Sequence, residues 1–270
     1  MLSPGYDQHM TTNTDTLYST PDLNLVDFAF DQRVVNVFPD MIRRSVPAYE
    51  TIVPLSALVA VRSIPDHSTP DQKVTASHPP GAIYDLGCSR GATTAALLNY
   101  SRANQQVIGV DNSPEMIAAA RDGIAALTDS EAAKRVTWRC EDIRTTPIKH
   151  ADAVVMNYTL QFVPPEERED LLVRIRDGLR PGAPFVYAEK VVLDDPTSQS
   201  WANDRHLDFK RANGYSELEI AQKRTAIENI MVPESCDAHL SRLNNLGFER
   251  VNQWFQLLNW AAFIGYAPGT

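Results

Sequence analysis

The chain has 270 residues, 43% of them hydrophobic and 22% charged, and 34 acidic against 25 basic residues give it a net charge of −9. That length fits one large α/β domain with room for an extra element, and the acidic balance argues against an obligate nucleic-acid binder, which carries a basic face. No apolar run approaches the ~20 residues of a membrane-spanning helix and no signal peptide is legible, so a cytoplasmic location and no membrane partner are expected.

Residues 1–25, rich in Ser, Thr, Asn and Asp, read as a loose tail. Residues 26–62 turn apolar and read as a helical segment that Pro39, Pro47 and Pro54 break into short pieces, because proline removes a helix hydrogen bond. The polar, proline-rich stretch 63–80 reads as a loop into the main domain, 81–270. There, apolar strand cores at 82–87, 107–111, 136–140, 152–157 and 184–193 alternate with helical patterns, the signature of a doubly wound, largely parallel sheet. A polar, mostly helical insertion (196–232) follows, then a helix near 235–246 and an antiparallel hairpin over 248–266. Cys88, Cys140 and Cys236 form no metal-ligand spacing and read as reduced thiols, so no metal is expected.

The first strand runs into YDLGCSRGATT (84–94). Gly87 suits a tight turn and Gly91 a close helix–strand approach, but the middle position of the dinucleotide fingerprint is Ser89. A ligand without a pyrophosphate does not need that missing glycine, which favours S-adenosylmethionine (SAM) over NAD or FAD. Asp111 at the end of the second strand suits the two ribose hydroxyls, with Asn112 beside it. Asp142 after the third strand suits the adenine amino group, with the Ile143 amide at a ring nitrogen. Asn157 ends the fourth strand at the methionine end of the pocket. Each has a plainer alternative: Asp85 and Asp142 as turn formers, Asn157 as a loop cap, Cys88 as a packing residue, Arg90 as a solvent-facing side chain, Tyr49 as a core aromatic.

In the insertion, Ser216 and Glu219 form a capping box that starts a helix at Glu217. Glu219 and Lys223 are spaced as a solvated i,i+4 pair. Ile220, Arg224, Ile227 and Met231 share another stripe, apolar except for Arg224. A buried arginine requires a carboxylate, either an internal partner such as Glu189 or Glu228, a residue of a second subunit, or a ligand. Lys210 and Arg211 read as surface charges, and His206 with Asp208 as a capping pair rather than metal ligands.

Together VFPDMIRRSVPAY, YDLGCSRGATT, VDNSPEMI, NYTLQF and DFKRANGYSELEIAQKR resemble the carboxy-S-adenosyl-L-methionine synthase family over residues 30–263. The resemblance implies a class I SAM-dependent methyltransferase-like, Rossmann-like α/β fold with N-terminal helices and a helical insertion before the last strands. It implies cofactor-binding roles for Tyr49, Gly87, Cys88, Ser89, Asp111, Asn112, Asp142, Ile143 and Asn157, and places Arg224 against an extra carboxylate. It further implies that the carboxyl group of prephenate is placed on the SAM methyl carbon, giving carboxy-SAM and phenylpyruvate. Prephenate would release carbon dioxide and hydroxide, the hydroxide would take a methyl proton, and the carbanion would capture the carbon dioxide. The product would serve a separate enzyme that modifies the wobble uridine of tRNA. Leu207 departs from the family, where a second histidine commonly follows His206. Two other readings stay open, an ordinary small-molecule methyltransferase and a non-catalytic SAM-binding scaffold. A homodimer is expected, with the insertion and its Trp201, Phe209 and Tyr215 in or beside the interface.

Overall fold

The computed structural model describes residues 13–20, 31–65, 81–228 and 230–269. Most of the expected 1–25 tail and 63–80 loop lies outside these residues. Two N-terminal helices, α1 (Gln32–Ser45) and α2 (Tyr49–Arg62), precede an alternation of β1 (Ile83–Leu86), α3 (Ala92–Tyr100), β2 (Val107–Asp111), α4 (Pro114–Leu127), the short α5 (Ser130–Lys134), β3 (Val136–Cys140), β4 (Ala153–Asn157), α6 (Arg168–Gly178) and β5 (Pro184–Val192). The insertion forms α7 (Pro196–Ala212) and α8 (Glu217–Glu228). The chain closes with β6 (Glu234–Ser235), α9 (Cys236–Asn245), β7 (Glu249–Leu257) and β8 (Trp260–Tyr266).

The sheet runs β3-β2-β1-β4-β5-β8-β7, with the first five strands parallel and β8 antiparallel to both neighbours; β6 adds a short parallel pairing to β5. Strand periodicity sends alternate side chains to opposite faces. Tyr84, Leu86, Val154 and Met156 therefore pack with Leu171 and Ile175 of α6 and Leu243 of α9. Ile83, Ala153 and Val155 pack on the other face against Ala57 and Ala60 of α2 and Leu97 of α3. Side chains such as Phe185 and Phe263 are wholly buried, each contributing about 1.5–3 kcal/mol relative to exposure. The reversal of strand order between β1 and β4 opens a crevice at their carboxyl ends, where ligands of such sheets bind.

The prolines do not break the N-terminal helices as expected. Only Pro47 lies between them; α1 continues through Pro39 and α2 through Pro54. Proline at 39 leaves the Val35 carbonyl without its helical donor, and the Arg90 guanidinium donates to that oxygen at 3.1 Å. Arg90 is thus a strut between α1 and the β1 loop, not the solvent-facing side chain its position suggested.

Candidate active site

The crevice is a cavity of about 750 Å³, near the upper end of the usual range for one small ligand. All ten candidate residues named above, from Tyr49 to Arg224, lie on its wall.

The loop after β1 turns at Gly87 (φ +72°) and Ser89 (φ +47°), and Gly91 (φ +86°) starts α3. A serine in the left-handed region costs roughly 1–2 kcal/mol. Its amide points at Asp111 and donates to Oδ2 at 2.8 Å, while the Ser113 amide donates to Oδ1 at 2.9 Å. Those two bonds fix the Asp111 carboxylate, and each oxygen keeps a lone pair for a ligand. Burial raises the Asp111 carboxyl above its ordinary value, against the amide bonds that favour its charge. Burial also pushes the Cys88 thiol far up, so Cys88 packs as a neutral thiol. Asp85 is not on the wall: it is buried, accepts from the Thr94 hydroxyl at 2.6 Å, and is raised to about 7 by burial. It ties its own turn to α3, as a turn former.

Asp142 is held by Arg144, whose Nε reaches both its oxygens at 3.0 Å; Arg144 bonds lower its carboxyl. That leaves less acceptor capacity for an adenine amino group than the sequence suggested. Asn157 donates to Thr93 Oγ1 at 3.2 Å, which leaves its buried Oδ1 without a hydrogen-bond donor among the described residues. An orphaned acceptor beside the amino end of α3 suits an amino-acid ligand group: an ammonium for Asn157 Oδ1 and a carboxylate for the helix terminus. Next in chain, Tyr158 adopts φ +56°, which turns its ring between Tyr49 and Trp260, with centroids 5.9 and 5.5 Å away.

On α8, the capping box forms as read: the Ser216 amide donates to Glu219 Oε2 at 2.8 Å, and the Glu219 amide to Ser216 Oγ at 3.3 Å. Ile220, Arg224, Ile227 and Met231 all line the cavity, but Arg224 is exposed rather than buried as the apolar stripe suggested. Glu189 is not the partner of Arg224, because its buried carboxylate accepts from the amides of Thr159, Leu160 and Gln161. The Glu228 side chain lies outside the described residues. Lys223 is not on a solvated face. It is 7% exposed and donates to Ser45 Oγ at 2.8 Å. Lys210 is not a surface charge either, since it lines the cavity, whereas Arg211 is exposed and pairs with Glu217 and Asp208. His206 and Asp208 part company: His206 is buried and its Nε2 donates to the Ser45 carbonyl at 2.8 Å, while Asp208 pairs with Arg205 and Arg211 at the surface. His206 does cap a helix, but α1 rather than its own.

Sequence reasoning missed Tyr158, Lys190, Lys210 and Trp260 on the wall. A signal existed for Tyr158, inside NYTLQF; nothing in a lone lysine on a strand or helix marks it as inward.

Residues 83–182 match a family model described as a methyltransferase domain. The chain is 43% identical over 258 residues to carboxy-S-adenosyl-L-methionine synthase of Geobacter sp. (strain M21), covering 95% of this chain and 100% of that one. It is 46% identical over 251 residues to the protein of the same name from Mannheimia succiniciproducens, covering 93% and 98%. Among solved structures, an O-methyltransferase family protein from Burkholderia thailandensis superposes with a TM-score of 0.59 at 18% identity, over 88% of this chain and 61% of that one. Human N-acetylserotonin methyltransferase in complex with SAM gives 0.53 at 13% identity, over 96% and 63%. This chain thus spans less than two thirds of either structure, and at these identities the likeness concerns the fold: a class I methyltransferase-like α/β sheet.

Proposed function

We propose a reaction for this chain from one premise: it belongs to the carboxy-S-adenosyl-L-methionine synthase family. It is a carboxy-SAM synthase, and the carboxyl donor is prephenate. The supporting observation is Arg224, a guanidinium on the wall of the same cavity that Asp111 and Asp142 line. Beside a sulfonium, a cation raises the energy of bound SAM, so an ordinary methyl transfer gains nothing from it. A carboxylate formed on the methyl carbon reverses that sign, and guanidinium offers it two parallel donors.

The residues fit SAM part by part. Asp111 would take the ribose hydroxyls, Asn157 Oδ1 the ammonium and the α3 terminus the carboxylate. Bound SAM supplies a methyl carbon made acidic by the adjacent sulfonium. Overall, prephenate (charge −2) loses its ring carboxyl as carbon dioxide and its ring hydroxyl as hydroxide, and the electron pair of the broken C–C bond completes the aromatic ring of phenylpyruvate (charge −1). Hydroxide with one methyl proton makes water, and the methyl carbon's freed pair bonds the carbon dioxide. Sulfonium and new carboxylate then offset each other. No side-chain base is needed in this scheme; the protein aligns the reactants and keeps water from the carbon dioxide. Wobble-uridine modification of tRNA would use the product on another enzyme.

The test is incubation with SAM and prephenate, without tRNA, followed by mass measurement of the bound nucleoside. A ligand heavier than SAM by one carbon dioxide is expected. S-adenosylhomocysteine formed only when a methyl acceptor is added would instead mark an ordinary methyltransferase. Retained SAM with no turnover would mark a scaffold, and dependence on tRNA would refute the free-standing product.

A further inference from the structure

Lys190 of β5, Lys210 of α7 and Arg224 of α8 all line the cavity. Lys190 is the cross-strand partner of Trp260 in the β5–β8 register. The Trp260 ring stands edge-on to His206 at 5.7 Å, and His206 is one helical turn before Lys210. Two lysines therefore flank one aromatic corner. The Lys210 ammonium has no hydrogen bond or ion pair among the described residues. Burial, then Lys190, then Arg224 push it down to about 8.

The carboxylates among the described wall residues are Asp111 and Asp142. Those carboxylates are engaged, by the Ser89 and Ser113 amides and by Arg144. The same corner holds a donor with no acceptor: Trp260 is 4% exposed and its Nε1–H finds no partner among the described residues. Indole N–H can only donate. A half-buried ammonium beside like charges, next to an orphaned donor, is costly unless an anion arrives.

We propose that Lys190, Lys210 and the Trp260 N–H form a docking site for a dianionic co-substrate, a dicarboxylate carrying a six-membered ring. The two ammonium groups take its carboxylates, the indole N–H takes one of its oxygens, and Arg224 is kept for the carboxylate that forms on SAM. This assignment rests on the reaction proposed above, which needs such a dianion in prephenate. It goes further by giving the two carboxylates named receivers.

The test is titration calorimetry on the full chain loaded with S-adenosylhomocysteine, which cannot react. Prephenate should bind about tenfold or more tightly than the monoanion phenylpyruvate, as befits a second charge-assisted contact. Lys190→Met and Lys210→Met should each lose about tenfold for prephenate, only one of the two should lose comparably for phenylpyruvate, which keeps a single carboxylate, and Trp260→Phe should lose a few-fold for prephenate, while S-adenosylhomocysteine affinity holds. Lys210→Met should melt at or above the wild-type temperature, because it removes a half-buried charge that lies beside like charges, which shows that the variant folds. If prephenate binds all three variants as it binds wild type, the docking site is wrong and the reaction stands. If wild type refuses prephenate but takes phenylsuccinate through Lys190 and Lys210, the reaction fails and the docking site stands. If it takes neither dianion, the docking site is rejected.

Discussion

Lys223 Nζ lies 3.7 Å from the Asp15 carboxylate, joining the helix that carries Arg224 to a segment near the start of the chain. The same carboxylate accepts from the Tyr215 hydroxyl, and the Asp15 amide donates to Asp40 of α1 at 2.8 Å. Further along, Gln222 donates to the Tyr18 and Thr20 carbonyls at 2.8 and 2.9 Å. Residues 13–20 are therefore a strap that binds α8 to α1. Burial pulls the Lys223 ammonium down to about 7 even though Asp15 favours its charge. Arg224 follows directly, so the strap fixes the turn from which its guanidinium reaches the cavity.

Asp15→Asn keeps the shape of the strap but removes its charge. It should cost about 1–3 kcal/mol of stability, the scale for an impaired buried hydrogen-bond partner, and weaken carboxy-SAM binding more than SAM binding. Thermal melts and paired titrations check this. Wild-type melting together with unchanged carboxy-SAM affinity would reject the strap as a positioning element.

The parts of the site that sequence made legible are those whose local backbone needs are special. Gly87 and Gly91 announce a loop with positive φ, and Asp111 and Asp142 follow strands whose alternation is plain. Arg224 stood out as one cation on an apolar stripe. What escaped reading depends on long-range packing. Lys223 turns inward because Ser45 and Asp15, from distant segments, meet it; helix spacing alone pairs it with Glu219. Pro39 reads as a helix breaker until Arg90 satisfies the freed carbonyl. Lys190 and Trp260 become neighbours only through the β5–β8 register.

Arg224→Ala should abolish the preference for carboxy-SAM while leaving SAM binding near wild type. Loss of a bidentate charged contact corresponds to about 10- to 100-fold in affinity. Arg224→Lys should recover little, because an ammonium lacks the planar fork. Titration of both ligands against both variants decides it; equal retention of the two ligands in the alanine variant would sink the assignment.

Asp111→Ala removes the acceptor that two amides hold in place. SAM affinity should fall by about 1.5–3 kcal/mol, the value of hydrogen bonds to a charged group. The fold should survive, because the Ser89 amide then faces the cavity and can meet water. Calorimetry showing unchanged SAM affinity would show that the ribose is held elsewhere.

His206 supplies a pH signature. Burial foremost, and the Lys210 charge next, lower its imidazole from 6.5 to about 3. The folded state thus binds fewer protons than the unfolded chain between about pH 3 and 6.5. By linkage, its stabilising contribution is full above 6.5 and is lost as pH falls toward 3. At pH 5 the deficit relative to pH 7 is on the order of 2 kcal/mol, from 1.36 kcal/mol per pH unit. His206→Gln can still donate to the Ser45 carbonyl but does not titrate there. Between pH 7 and pH 5, denaturation should show wild type losing about 2 kcal/mol more than the variant; equal losses in the two proteins would show that His206 does not carry this contribution.

Trp201 is 55% exposed on α7, and Leu218 at the start of α8 is also exposed. Large apolar side chains on the outside of the insertion fit an interface core. Tyr215 does not contribute as the sequence suggested, because it is buried against Asp15 and Ser45. We propose that two chains pair through α7 and α8, the helices that carry Lys210 and Arg224, so that assembly would steady that wall of each cavity. Light scattering at micromolar concentration should give the mass of two chains. Trp201→Glu places a charge in the proposed contact and should weaken pairing by 2 kcal/mol or more, about 30-fold, the loss typical of a central aromatic anchor. A wild-type monomer mass with full turnover would reject the dimer and leave α7 and α8 as a cover over their own chain's cavity.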